Sequence, residues 1–368
     1  MAIFSNLKVI ELSSVLAGPA VGAFFAELGA NVIKIEPPGG DVTRTWKTPS
    51  ESATATVSAY YSSVNWGKQC MVLNLKNNTD YEKLVAQIKN ADVVISNYKV
   101  GDDQKLRVAY EDFAPLNPRL IYAHITGYGT SDPRAGYDAV VQAEAGFMYL
   151  NGAPDGPPTK MPVALMDLMA AHQLKEAILV ALYNRTQTGA GCRVAVSLLD
   201  AGLASLANQS ATWLAARVAP TRIGSEHPSI APYGSVFDTR DGQQIILAVG
   251  NDKQFGKLCA VLDRPDLPAD ARFATNPERV KHRDALLQLL RTAIVRFDRD
   301  ELLRHLHRQE VPAGAVHTVP QACALPAAAR LMLHDPVTGM RGLRTIAFEG
   351  PADWQQERLG PPPPLPQG

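Results

Sequence analysis

Between Lys8 and Thr126 the chain repeats a short β-branched run followed by a helix-length segment, and no other feature restricts its fold as strongly. KVIEL (Lys8 to Leu12) leads through the turn SSVLAGP into a small-residue amphipathic stretch ending at Gly29, and NVIKIE (Asn31 to Glu36) follows. That is a β-turn-α-β unit. CMVLNL (Cys70 to Leu75), a helix through Leu84 and Ile88, DVVISN (Asp92 to Asn97) and LIYAHIT (Leu120 to Thr126) continue the series. The sequence therefore predicts an α/β fold with a mostly parallel sheet covered on both faces. In such sheets ligands bind outside the carboxyl ends of the strands, which singles out the residues following Leu12, Glu36, Leu75, Asn97 and Thr126.

Two long helical patterns come next, from about Val163 to Thr186 and from Ala195 to Arg217. HPSIAPYGSVFDTRDGQQIILAVGND then carries two strand-like runs joined by Asp241-Gly242, a hairpin signal. Helical segments near Lys253 to Leu262, Arg283 to Val295 and Asp300 to Gln309 lead to VPAGAVHTV. With 368 residues, two domains, or one large domain with an insertion, are expected. We read residues 1–223 as the large domain, 224–319 as a smaller α+β domain, and 320–368 as a segment returning to the large one. Its PPPPLP tail reads as extended polyproline, packed on a neighbour or disordered.

Thirty-six Lys and Arg against 36 Asp and Glu leave no net charge, so no bulk field favours nucleic acid or a membrane surface. Any anionic ligand must be held by a local cluster. The most apolar helical window, Val163 to Tyr183, contains Asp167, His172, Lys175 and Glu176, which excludes a spanning segment. The N-terminal stretch lacks a basic leading segment and reads as folded structure. Cys70, Cys192, Cys259 and Cys323 lie more than sixty residues apart, too far for a CxxC pair or paired zinc ligands. A reduced, cytoplasmic setting and no metal site are expected.

The first turn, AGPAVG, lacks the GxGxxG of a dinucleotide site, and the chain has no P-loop, HExxH or GxSxG. Asp167 stands out instead. It lies in MPVALMDLMAAHQ with Ala170 and Ala171 at i+3 and i+4, so its own helix offers no charge to pair with it. A carboxylate in apolar surroundings is hydrogen-bonded, protonated or functional, and spacing leaves open both a reacting group and a helix cap. Lys34 with Arg44, Lys68, and Lys99 with Lys105 follow or flank successive strand ends. Together they suit an anion with several phosphates; singly each reads as a solvated surface cation.

Six segments, in order, then carry a family resemblance. LKVIELSSVLAGPAVGAFFAELGANVIKIEPPGGDVTRTW, VNWGKQCMVLNLKN, DVVISNYKVG, ITGYGTSDPRAGYD, IAPYGSVFDTRDG and VPAGAVHTV resemble the class III coenzyme A transferases. That family includes formyl-CoA transferase, carnitine CoA-transferase and alpha-methylacyl-CoA racemase. The resemblance implies a Rossmann-like large domain, a smaller domain, and two chains threaded into an interlocked homodimer. It implies acyl-CoA and carboxylic acid substrates, with coenzyme A as a substrate and no tightly bound cofactor. Asp167 matches the family's catalytic aspartate, which would pass through anhydride and aspartyl-CoA thioester intermediates.

By the same resemblance, Val15 and Leu16 match residues lining the pantetheine and thioester end, with Leu16 where transferases often have Gln. Lys68, Asn97, Tyr98 and Lys105 match positions that hold adenine and phosphates. Ala135 stands where some members have a phosphate-binding Lys, and Arg134 is its nearest replacement. Tyr137 and Asp138 match the pair beside the aspartate, and Met166 joins Leu16 and Tyr137 as an acyl-pocket residue. Racemases have His at the Tyr137 position; a phenol, with a pKa near ~10, is a poor proton shuttle at neutral pH. Transferase is therefore favoured over a racemase or isomerase, and a non-catalytic CoA-binding homologue stays as the non-enzyme alternative. The chain lacks formyl-CoA transferase's glycine run, so loop gating of that form is not expected, and it ends at PPPPLPQG where relatives continue into a helix, for which looser dimer packing or weaker catalysis is the expectation.

Overall fold

KVIEL and NVIKIE form the first two strands, β1 (Lys8–Leu12) and β2 (Asn31–Glu36), with helix α1 (Ala17–Glu27) between them. β3 (Gln69–Val72), α2 (Asn78–Ile88), β4 (Val93–Ser96) and β5 (Ile121–Thr126) follow. The computed structural model describes residues 2–366, and these elements belong to the larger of its two compact units. That unit comprises Met1–Phe147, Lys160–Val218 and Pro326–Gly368; the smaller comprises Met148–Thr159 and Ala219–Leu325.

With β6 (Cys192–Ser197) as the last, all six strands of the main sheet run parallel, in the order β3-β2-β1-β4-β5-β6. Alternate residues of each strand supply opposite faces. Val9, Val32, Val93, Ile95, Ile121 and Ala123 enter a core shared with α1 and the long helix described below. Ile10, Leu12, Ile33, Ile35, Val94 and Tyr122 enter another, closed by Leu84 and Ile88 of α2 and by Phe113. Both faces are covered, as the continuous apolar strand sequences require.

One expected element is different. The run from Ala195 to Arg217 is not a single helix: Cys192–Ser197 forms β6, and two shorter helices, Leu198–Ala204 and Asn208–Ala216, follow it. Among the described residues β6 pairs only with β5, and its Arg193 and Ala195 are exposed while its other residues are not, the alternation of a half-covered edge strand. Before it come α3 (Asp138–Glu144) and the long α4 (Leu165–Thr188), which ends on Gly189 in the left-handed region.

In the smaller unit β7 (Tyr233–Asp238) and β8 (Gln244–Ala248) form the expected hairpin across Asp241-Gly242, and β9 (Ala313–Ala315) adds a third strand. Three helices, Asp252–Val261, Arg283–Ile294 and Arg299–Arg308, bury Leu258, Leu290, Leu302 and Leu306 with Phe237 and Leu247 in a separate core. The proline-rich tail lies on the larger unit. Gly67 N–H donates to Gly360 O at 2.9 Å, and Arg44 donates to Pro363 O at 3.1 Å. Among the described residues, no helix is long and apolar enough to cross a membrane, and no His, Cys, Asp and Glu cluster has metal-site geometry.

Candidate active site

β1 lies between β2 and β4, so the connection from β1 leaves toward one side of the sheet and the strands after β4 extend the other. This change of direction opens a crevice at the carboxyl ends. A cleft of about 330 Å³ lies there, walled by Ser13 and Ser14 after β1, Gly40 and Asp41 after β2, and Asn97, Tyr98 and Lys99 after β4. The turn on its floor is unusual. Val15 has a φ of +70°, in the left-handed region that a β-branched residue rarely occupies. Ser14 N–H donates to Asn97 Oδ1 at 3.0 Å, Asn97 Nδ2 donates to Ser14 O at 2.8 Å, and Val15 N–H donates to Asp41 Oδ2 at 3.3 Å.

Below this turn lies a fully buried ionic cluster. Register places Glu11 of β1 directly beside Lys34 of β2, on the α1 face of the sheet. The Lys34 ammonium is 2.9 Å from Glu11, 3.0 Å from Asp41 and 2.6 Å from Ser13 O. Lys68 meets the other Glu11 oxygen at 2.7 Å and donates to Pro19 O and Asn65 Oδ1. Burial draws the Lys68 ammonium down to about 8 despite the attraction of Glu11. Arg44 makes a two-pronged contact with Glu36 at 2.7 and 2.8 Å and stacks on Tyr61. Burial opposes ionisation of Glu36, yet Arg44 and the Asp41 N–H outweigh it and hold the carboxyl at about 2.

The glycines of AGPAVG serve this arrangement. A Cβ at Gly22 would stand 1.9 Å from Glu11 Oε2, and one at Gly18 would stand 2.4 Å from Ser13 Oγ. Their small size lets α1 close over the ion cluster and the turn. Glu36, which ends β2 where dinucleotide-binding folds keep a ribose-binding acid, has both oxygens engaged by Arg44, Tyr61 and the Asp41 N–H.

Asp167 stands in the first turn of α4. The helix has no side-chain cap at Ala164; Asp138, the first residue of α3, accepts Met166 N–H on Oδ1 at 2.8 Å instead. Its Oδ2 accepts from the buried Gln142, whose Oε1 takes Met161 N–H and fixes the strand of chain entering α4. The Asp167 carboxylate accepts no hydrogen bond from any described residue. Burial raises it to about 7, and the negative charge of Asp138 adds to the rise. Tyr60 lies within the field of Asp167, Asp138 and Asp41, and burial raises its phenol first, their charges adding to it. Met166 is fully buried beside it, and Leu16, Leu165 and Met169 pack on the same apolar cluster.

The expected residues thus fall into distinct groups. Asp167, Asp138 and Met166 come together at the start of α4, Leu16 packs on the large apolar core that Met166 also enters, and Val15, Asn97 and Tyr98 form the cleft turn and wall. Tyr137 stands at the N-cap position of α3, makes no cap hydrogen bond through its side chain, and is 68% exposed. Lys105 is exposed and paired with Asp102 at 2.9 Å; Arg134 stacks on Tyr128 and pairs with Asp132. Lys68 does not join them: its ammonium is closed off from solvent by Glu11, Pro19 O and Asn65, so it offers a phosphate no free proton. Lys34 and Arg44 are likewise internal, because each faces a buried carboxylate that needs a counter-charge. Asp41, Tyr60, Glu11 and Gln142 were not anticipated, although one acid and one base inside adjacent apolar strands, Glu11 and Lys34, are a readable sign of a buried pair.

Comparison with known proteins matches this architecture. The family model described as CoA-transferase family III covers residues 4–368. A succinate–glutarate CoA-transferase of Agrobacterium fabrum is 40% identical over 347 residues, spanning 92% of this chain and 84% of that protein. An acetyl-CoA:oxalate CoA-transferase of Acetobacter aceti is 40% identical over 336 residues, 90% of this chain and 85% of its own. The crystal structure of a CaiB/BaiF family protein from Brucella suis superposes with a TM-score of 0.87 at 38% identity, covering 100% of this chain and 96% of that one. With a whole-chain family match and relatives at this level of identity, the chain belongs to CoA-transferase family III and is an enzyme of that kind.

Proposed function

We propose that the protein moves coenzyme A from an acyl-CoA donor to a carboxylic acid acceptor, with Asp167 as the nucleophile. The observation that carries this reading is an unpartnered carboxylate, raised to about 7, at the start of a long helix in an apolar bed. An Asp167 oxygen attacks the thioester carbonyl, the C–S bond breaks, and an anhydride and CoA thiolate result. The thiolate attacks the aspartyl carbonyl and releases the donor acid, leaving an aspartyl-CoA thioester. An acceptor carboxylate then displaces the thiolate to give a second anhydride, and the thiolate takes the acceptor acyl group, freeing Asp167. Each step exchanges one acyl bond for another and consumes no net proton. Apolar surroundings keep the carboxylate poorly solvated and limit hydrolysis of the anhydride.

Val15, Leu16, Tyr98, Lys105 and Arg134 are proposed to line the path of the CoA chain, and the acyl end is proposed to sit among Leu16, Tyr137, Asp138 and Met166. Relatives named for succinate, glutarate and oxalate favour short dicarboxylic acids as substrates. The phenol of Tyr137 is unsuited to alpha-proton exchange, which supports transfer over racemisation. We also propose a cytoplasmic setting: Cys70, Cys192, Cys259 and Cys323 are free thiols, which a reducing compartment preserves. Trapping tests the mechanism: incubation with succinyl-CoA followed by hydroxylamine should leave a hydroxamate on Asp167 in peptide mass maps. Succinyl-CoA that binds and leaves Asp167 unmodified would overturn it.

We also propose the interlocked homodimer. Val180 and Tyr183, one turn apart on α4, and Trp213 and Leu214 of the Asn208–Ala216 helix are large apolar side chains left exposed, and a partner chain would cover such side chains. Sedimentation should give about twice the 39.7 kDa chain mass. A single-chain mass at micromolar concentration would reject the dimer.

A further inference from the structure

The turn after β1 is held in a conformation its sequence disfavours. Val15 carries two branches on Cβ and still adopts a φ of +70°, where glycine is the residue expected. Packing does not explain it, because Ser14 is exposed and Val15 only half-buried. The holding groups are polar and come from distant strands. Asn97, after β4, donates to the carbonyl of Ser14 and accepts from its N–H, so one carboxamide grips both backbone groups of a single residue. Asp41 takes the next N–H, that of Val15, and is itself immobilised by Lys34 and by Thr43, whose N–H and hydroxyl donate to its other oxygen. Strain persists only where the surroundings over-determine it, and it clusters where geometry matters for function.

We propose that Asn97 is a positioning residue for the acyl transfer: with Asp41 as its anchor, it braces the strained Ser14–Val15 turn. The brace fixes Leu16, which shares an apolar cluster with Leu165 and Met166 at the start of α4. The role rests on the reading of Asp167 as nucleophile, and it assigns to Asn97 a contact with the protein backbone in place of one with adenine or phosphate. Small displacements of reacting groups are costly, so the loss should appear in the rate of acylation.

A double-variant cycle tests it. Labelling of Asp167 by succinyl-CoA is timed in a single turnover for the wild type, Asn97→Ala, Val15→Gly and the two combined, with thermal midpoints alongside. Asn97→Ala should slow labelling about tenfold or more with the fold retained. In the Val15→Gly background the same change should cost less than about threefold, because glycine holds a positive φ without a brace. Equal losses in both backgrounds, or a full rate in Asn97→Ala, would overturn the proposal. If the wild type itself leaves Asp167 unlabelled, the nucleophile reading fails instead. Hydrogen exchange at the residue-15 amide, which Asp41 and not Asn97 accepts, then judges the brace: faster exchange on Asn97→Ala only in the Val15 background supports it, and exchange that is unchanged, or equally faster in both backgrounds, refutes it.

Discussion

Asp167→Asn should lower kcat by about 10⁴-fold while making the folded protein more stable at pH 8. The amide keeps the size of the side chain and removes its nucleophilic oxygen, so binding of the acyl-CoA survives and transfer does not. The stability gain follows from the position of the carboxyl group. Burial, with the charge of Asp138 added, raises it from 3.8 to about 7 in the folded protein. A carboxyl raised in this way contributes stability that is fully present below about pH 4 and lost as pH rises through 7. Above that, the folded chain carries an ionised group it solvates poorly. The full displacement corresponds to about 4 kcal/mol, and partial solvent access reduces the expected gain to about 1–2 kcal/mol. Thermal melts at pH 8 should therefore rise by a few degrees for Asp167→Asn, and melts at pH 4 should coincide with wild type. In the wild type, kcat/KM should fall about tenfold per pH unit below 7, since only the carboxylate attacks. A flat profile from pH 5 to 8 would show that Asp167 is an ordinary solvated acid.

The parts of this arrangement that were legible in the sequence are those set by local apolar pattern. β1 and β2 begin and end where KVIEL and NVIKIE do, because every inward position in both strands is β-branched or leucine except Glu11, Lys34 and Glu36. Asp167 stood out because it interrupts an apolar helix and has only small neighbours at i+3 and i+4. β6 was missed for the opposite reason. CRVAVS is short, ends in helix-forming company and alternates only weakly, so it merges with SLLDAGLA. Its boundary is nevertheless written in Ser197, whose Oγ accepts Asp200 N–H at 2.9 Å as a helix cap. The cations misled because a lysine after a strand looks the same whether it faces water or a buried acid. Only register, with Glu11 opposite Lys34, separates the two. Asn97 shows the same limit, since its partner Ser14 lies 83 residues away.

Glu11→Ala should be among the most damaging single changes in the larger unit. Glu11 is the carboxylate shared by Lys34 and Lys68, and all three side chains are out of contact with water. Removing it strands Lys68 with two neutral acceptors and no carboxylate in contact, Asp41 acting on it only from farther off, which costs about 3–5 kcal/mol for a broken buried pair. At ~2–4 °C per kcal/mol, the thermal midpoint should fall by roughly 10 °C. The cause is separable from a simple cavity. Combining Glu11→Leu with Lys68→Met removes the pair together and fills its volume, and this double variant should recover most of the loss, because apolar replacement of a buried pair is often neutral. Lys34 keeps Asp41 and Ser13 O in that background, so the second ammonium remains paired. A Glu11→Ala protein within about 1 kcal/mol of wild type would mean that water enters the cluster and solvates Lys68. The cluster also bears on function. Lys34 anchors Asp41, Asp41 anchors the Val15 amide, and the strained turn stands on both, so loss of Glu11 should loosen the cleft even in the fraction of molecules that stays folded.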